Sequence, residues 1–124
     1  MIWTYLLAFG AFMAAIGVGA GAFGAHGLKD RLTPPELAIF ETSVRYWMYH
    51  SFGICIVSLV MSRIENWYMK SSAISMILGA LVFSISLILL VFTGNRQLGA
   101  ITPIGGVFLI LSWLLLGLGV LLHR

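Results

Sequence analysis

The sequence predicts an all-α membrane protein: four transmembrane helices in an antiparallel bundle, with an amphipathic helical segment leading into the second span. Composition and patterning carry this expectation. Of 124 residues, 60% are hydrophobic and only 9% charged, against about 25% charged in a soluble domain. The mean hydropathy is +1.04. The apolar residues fall in long runs between short polar segments, and about 20 such residues cross a bilayer core of roughly 30 Å as a helix. In lipid a helix satisfies its own backbone hydrogen bonds. The chain therefore reads as one domain, residues 1–124, with spans near 2–26, 45–63, 72–93 and 103–122.

The first span has no charge from Ile2 to Ala25. No Lys or Arg precedes it, and it is too long for the apolar part of a signal peptide, so a retained helix is expected. Gly19, Gly21 and Gly24 match the glycine spacing of a dinucleotide-binding fingerprint. That motif needs a strand before the turn and a helix after it, and here the glycines lie inside one apolar run. A packing surface explains them better. Gly10, Ala14, Gly17, Gly21 and Gly24 recur at steps of four, three, four and three, which lines up small residues on one side of a helix where a neighbouring backbone comes close.

The connection after Gly27 carries Lys29, Asp30 and Arg31. Thr33-Pro34-Pro35-Glu36 then supplies a capping residue, prolines for a first turn and a carboxylate three residues on, so a helix should start there. Leu37, Phe40, Val44 and Trp47 follow at helical steps, lying on the membrane surface or running straight into the second span. Ile64 to Lys70, with Trp67 and Tyr68, reads as an interfacial turn. In the third span Ser72, Ser75, Gly79 and Ser86 form a second small-residue stripe. Gly94 to Gln97 ends that span, and Thr102-Pro103 is expected to cap and open the fourth.

The net charge of +3 and a pI near 9.4 do not imply nucleic acid, because the basic residues are scattered singly with no polybasic patch. The single Cys55 cannot form an intrachain disulfide and reads as packing. Orientation is evenly balanced. The Met1 amine, Arg63, Lys70 and Arg124 face one side, and Lys29, Arg31, Arg45 and Arg96 the other, four against four. Discounting Arg45 as paired with Glu41 tips the expectation to cytoplasmic termini.

Alternating helices bring the end of the first span, the start of the second, the end of the third and the start of the fourth to one face. That face collects the polar groups: His26, Asp30, Glu41, Arg45, Tyr46, His50, Asn95 to Gln97, Thr102 and the Gly105-Gly106 pair. Glu41 and Arg45 are spaced for an ion pair along one helix. His50 lies about one turn inside the span, where an ionisable group is costly and marks a functional candidate. The ring is expected to be neutral at pH 7, since lipid disfavours its charge. The ligand-binding candidates are His26, Arg45, Tyr46, His50, Thr102, Gly105 and Gly106. Two histidines without a placed third ligand do not make a metal site, and Ser43 and Ser51 lack a base and its orienting group. No catalytic residue, metal or cofactor is expected.

Four segments carry a resemblance: Gly21 to Leu28, Tyr46 to His50, Val82 to Leu87 and Leu98 to Trp113. They are similar to the YgdD-like family of small bacterial membrane proteins, the domain of unknown function 423 family, to which vertebrate transmembrane protein 256 is related. The resemblance covers essentially the whole chain. It implies a four-helix integral membrane protein of the bacterial plasma (inner) membrane, and it brings no established activity. Trp47 stands where the family pattern has Gln, and Ile85 and Ile88 stand where it has Gly and Tyr. Non-enzymatic binding or movement of a small or amphipathic ligand at the histidine face, as a homo-oligomer in the bilayer, is the leading expectation. A structural or assembly factor for other membrane proteins is the rival.

Overall fold

The computed structural model describes residues 1–123 and is all-helical: α1 (Ile2–Gly27), α2 (Pro34–Met61), α3 (Trp67–Thr93) and α4 (Leu98–Leu121). Arg124, counted in the charge balance, lies outside the described residues. Three of these helices, α1, α3 and α4, are long and apolar enough to cross a membrane. The helices pack in chain order, α1 on α2, α2 on α3 and α3 on α4.

Local chemistry sets the helix ends. At α2 the capping box is complete: the Thr33 hydroxyl accepts from the Glu36 amide and the Glu36 carboxylate accepts from the Thr33 amide at 3.0 Å. Two prolines follow in the first turn, where their missing N–H groups cost nothing. The amphipathic entry and the predicted second span are thus one continuous helix. The third helix ends at Gly94, whose φ of 68° lies in the left-handed region that glycine enters freely.

The start of α4 differs from the expectation. Thr102-Pro103 neither caps nor opens it: the helix begins at Leu98 and Pro103 lies inside. The Asn95 side chain accepts from the Gln97 amide, and backbone bonds Leu98 to Asn95, Gly99 to Arg96 and Ala100 to Gln97 wind a tight first turn before the proline is reached. Pro103 is tolerated so near the end because it forfeits a single bond, to the Gly99 carbonyl. The Thr102 hydroxyl, free of capping, bonds back to the Leu98 carbonyl.

Asn66, unremarked in the sequence, does two jobs. Its Oδ1 caps α3 by accepting from the Met69 amide at 3.0 Å, and its Nδ2 donates to the Gly119 carbonyl at 3.1 Å, tying the start of α3 to the end of α4. Asn66→Ala is expected to lose about 1–2 kcal/mol, a cap plus an interhelical bond. Unfolding in a denaturing detergent series measures it; Asn66→Asp, which keeps the cap alone, should lose less.

Small residues and hydroxyls join the helices. A Cβ on Gly10 would stand 2.7 Å from the Cys55 sulfur, and Cβ atoms on Gly17 and Gly24 would collide with Met48 and Phe40. Gly21 faces Val44 at ordinary contact distance, and Ala14 is half-buried. The small-residue side of α1 therefore packs on α2 within the chain. Trp47, the departure from the family pattern, sends its indole N–H to the Met13 carbonyl at 2.7 Å. Between α2 and α3, Ser43 and Ser84 each donate to the other's backbone carbonyl, at 2.8 and 2.9 Å. Between α3 and α4, Ser72 donates to the Ser112 carbonyl, and the Ser86 and Thr102 hydroxyls share a 2.6 Å bond. Dispersion and these bonds hold helices together where lipid removes the hydrophobic drive. Ile54, Val57, Met69 and Met76 fill the space between.

Candidate functional site

Between α2 and α4 the bundle leaves an open groove of about 620 Å³. Tyr46, Tyr49, His50 and Phe52 come from α2, Gly106, Leu109, Ile110 and Trp113 from α4, and Phe83 reaches in from α3. The opening exists because α2 and α4 each pack on α3 rather than closely on one another. Aromatic rings make its surface: Tyr46 lies 4.6 Å from Phe83 and stacks at 6.2 Å on His50. The walls are otherwise apolar.

His50 is the buried polar group of this groove, 4% exposed. Its position on α2 brings Nδ1 to 2.6 Å from the Tyr46 carbonyl, one turn back, and Nε2 to 3.1 Å from the Trp113 indole nitrogen. An indole N–H only donates, so Nε2 accepts and Nδ1 carries the proton. The hydrogen-bond pattern is that of a neutral imidazole with both nitrogens engaged. It joins α2 to α4 across the groove.

The sequence-derived candidates separate in space. Tyr46, His50 and Gly106 line the groove. Gly105, one residue away, turns instead onto α3: a Cβ there would lie 2.5 Å from the Phe83 nitrogen and 3.0 Å from the Gly79 carbonyl oxygen. Thr102 is buried beneath Ser86. Arg45 lines a smaller cleft of about 180 Å³ between α1 and α2, with Glu41, Gly21 and Gly24. The Glu41–Arg45 ion pair is not made; among the described residues the ion pair present is Lys70–Glu65, exposed at the surface. Both members of the expected pair are exposed, and holding two long side chains together in water gains little. His26 is exposed on the last turn of α1. Since Gly24 meets Phe40, His26 lies two residues beyond Gly24 in the direction away from His50, and His50 lies ten residues beyond Phe40, the two histidines stand about 18 Å apart along the bundle.

Trp113, Phe83 and Tyr49 were not singled out by the sequence. Trp113 carried a usable signal, since an indole well inside an apolar span needs an acceptor that interfacial tryptophans find in water. Among the described residues no three His, Cys, Asp or Glu side chains gather to hold a metal ion.

Long apolar helices joined by short turns, with a lateral aromatic groove between two of them, define a small multi-pass membrane protein. The family model described as "Protein of unknown function (DUF423)" matches residues 20–106, and the chain belongs to that family. It is 43% identical over 110 residues to a UPF0382 membrane protein of Staphylococcus epidermidis, covering 86% of this chain and 87% of the relative. It is 40% identical over 113 residues to one of Staphylococcus saprophyticus, covering 89% and 91%. The UPF0382 membrane protein YwdK of Bacillus subtilis is 39% identical over 108 residues, covering 86% and 88%. No solved structure matches the chain.

Proposed function

We propose that this protein is an antiparallel four-span bundle of the bacterial plasma membrane that binds an amphipathic ligand, without chemistry, in the groove between α2 and α4. The groove itself is the observation that carries the reading: about 620 Å³, walled by aromatic rings and holding one buried imidazole. Volumes of this order take small organic ligands, and a few placed polar groups in an apolar wall orient them.

The fourth span is α2. Averaging along its sequence hides its fitness for lipid, because Ser43, His50, Ser51 and Ser58 are buried and hydrogen-bonded within the protein. From Tyr49 onward it exposes Tyr49, Phe52, Ile56 and Leu59. The antiparallel arrangement is supported by contacts that run in opposite order, Gly10 with Cys55 and Gly24 with Phe40. The helical rather than barrel architecture of this chain, together with bacterial relatives named membrane proteins, supports the plasma membrane. A homo-oligomer in this reading uses a face other than the small-residue side of α1, which α2 covers.

Gly106 supplies the test. Among the described residues a Cβ there meets only the Phe83 ring, at 3.9 Å, and Gly106 lines the groove, so Gly106→Leu is expected to fill the groove from a position with room for its first carbon. With dodecanol as the probe and the Trp113 indole resonance as the readout, wild type is expected to bind saturably and Gly106→Leu about tenfold more weakly or not at all. Equal binding by both would overturn the reading. A stoichiometric protein partner copurified from native membranes, with no dodecanol response, would favour an assembly factor instead.

A further inference from the structure

The His50–Trp113 contact places two ring nitrogens 3.1 Å apart inside the apolar groove. In the neutral state each satisfies the other, the indole N–H donating to a bare Nε2. A proton added to Nε2 removes the acceptor, and two N–H groups then point from α2 and α4 into the same space with nothing to receive them. A carboxylate is the complement of such a pair: two oxygens, each accepting one N–H, with one negative charge against the imidazolium.

We infer that the groove takes a long-chain carboxylic acid, with His50 and Trp113 as its head-group site and the aromatic walls holding its chain. This rests on the amphiphile-binding reading and names the ligand class within it. The acid brings its own proton. Its O–H bond breaks, the proton passes to Nε2, and the carboxylate left behind is held by Nε2–H and the Trp113 N–H, while Nδ1–H stays on the Tyr46 carbonyl. The charges balance without any further ion.

Charge complementarity favours this ligand over a phospholipid head. The titratable groups facing His50 are the Tyr46 and Tyr49 phenols of its own helix, and Phe83 from α3 and Leu109, Ile110 and Trp113 from α4 are uncharged. Among the described residues no Lys or Arg lines the groove, so a permanently ionised phosphodiester, which brings no proton for His50, would be buried without a counter-charge. A weak acid enters neutral and ionises only against His50.

The experiment uses purified full-length protein in detergent with 15N-labelled tryptophan, titrated with dodecanoate and, separately, dodecanol. The Trp113 indole resonance is expected to move saturably with dodecanoate, more tightly as pH is lowered, because each bound carboxylate ion is accompanied by one proton. Dodecanol should bind about tenfold more weakly. His50→Gln, which can still accept from Trp113 but takes no proton, should reduce dodecanoate to the dodecanol level or below. The Trp47 indole, bonded to the Met13 carbonyl, should stay fixed throughout and reports that each variant is folded. Equal binding of the two probes, or an unchanged dodecanoate affinity in a folded His50→Gln, would overturn the carboxylate inference and leave the amphiphile groove standing. No response of Trp113 to either probe would defeat both.

Discussion

Gly105→Ala is expected to be the most destabilising single-methyl addition in the protein, costing about 3 kcal/mol, the upper part of the range for overpacking. The added Cβ would stand 2.5 Å from the Phe83 nitrogen, 2.9 Å from its Cα and 3.0 Å from the Gly79 carbonyl oxygen. All three are backbone atoms, so no rotamer change relieves the contact and α3 and α4 must separate. Separation also strains the Ser72–Ser112 and Ser86–Thr102 bonds along the same seam. Gly10→Ala should cost less, since its nearest neighbour is the Cys55 side chain, although the Ser51 carbonyl oxygen stands 3.0 Å away. Gly117→Ala is the control: among the described residues nothing lies within 4 Å of its Cβ, and alanine's helix preference should leave stability unchanged or raised by up to about 1 kcal/mol. Unfolding of the three variants in mixed micelles decides it. A Gly105→Ala midpoint equal to that of Gly117→Ala would contradict the close approach of α3 and α4.

An all-or-none result is expected for topology. If α2 crosses the bilayer, Lys29→Cys in the first connection and Arg63→Cys in the second lie on opposite sides, and a membrane-impermeant thiol reagent added outside intact cells labels one and never the other. Cys55, partly buried in the last third of α2 and within the stretch that would cross the bilayer, should stay unlabelled. Both sites are exposed, so access to water is set by the membrane alone. Labelling of both from the same side would remove the fourth span. Which of the two is labelled also fixes orientation, on which the basic residues are evenly divided.

The helices, most of their boundaries and the roles of particular glycines differ in how far the sequence disclosed them. Apolar runs and end signals are local: Thr33-Pro34-Pro35-Glu36 starts α2 and Gly94 ends α3 by bonds made within a few residues. Thr102-Pro103 misled for the same reason: a motif that suits a helix start is overridden when Asn95 begins the turn earlier. His50 and Tyr46 stood out because a polar group in an apolar run is visible along the chain. Its partner Trp113 is 63 residues away, and no local pattern pairs them.

By itself the sequence determined that the chain is helical and belongs in a membrane, because hydropathy and backbone hydrogen bonding act on each segment separately. It also determined where small residues line a helix, since a period of 3.6 is a property of one helix. Only the tertiary structure decided what those small residues meet. Gly105 and Gly106 are adjacent and alike in sequence, yet one step of about 100° around α4 turns the first onto the backbone of α3 and the second toward the groove. Direction around a helix has no meaning until neighbours are placed, and the placement of α2 and α4 on either side of α3 is what opens the groove and gives the His50 nitrogen its donor.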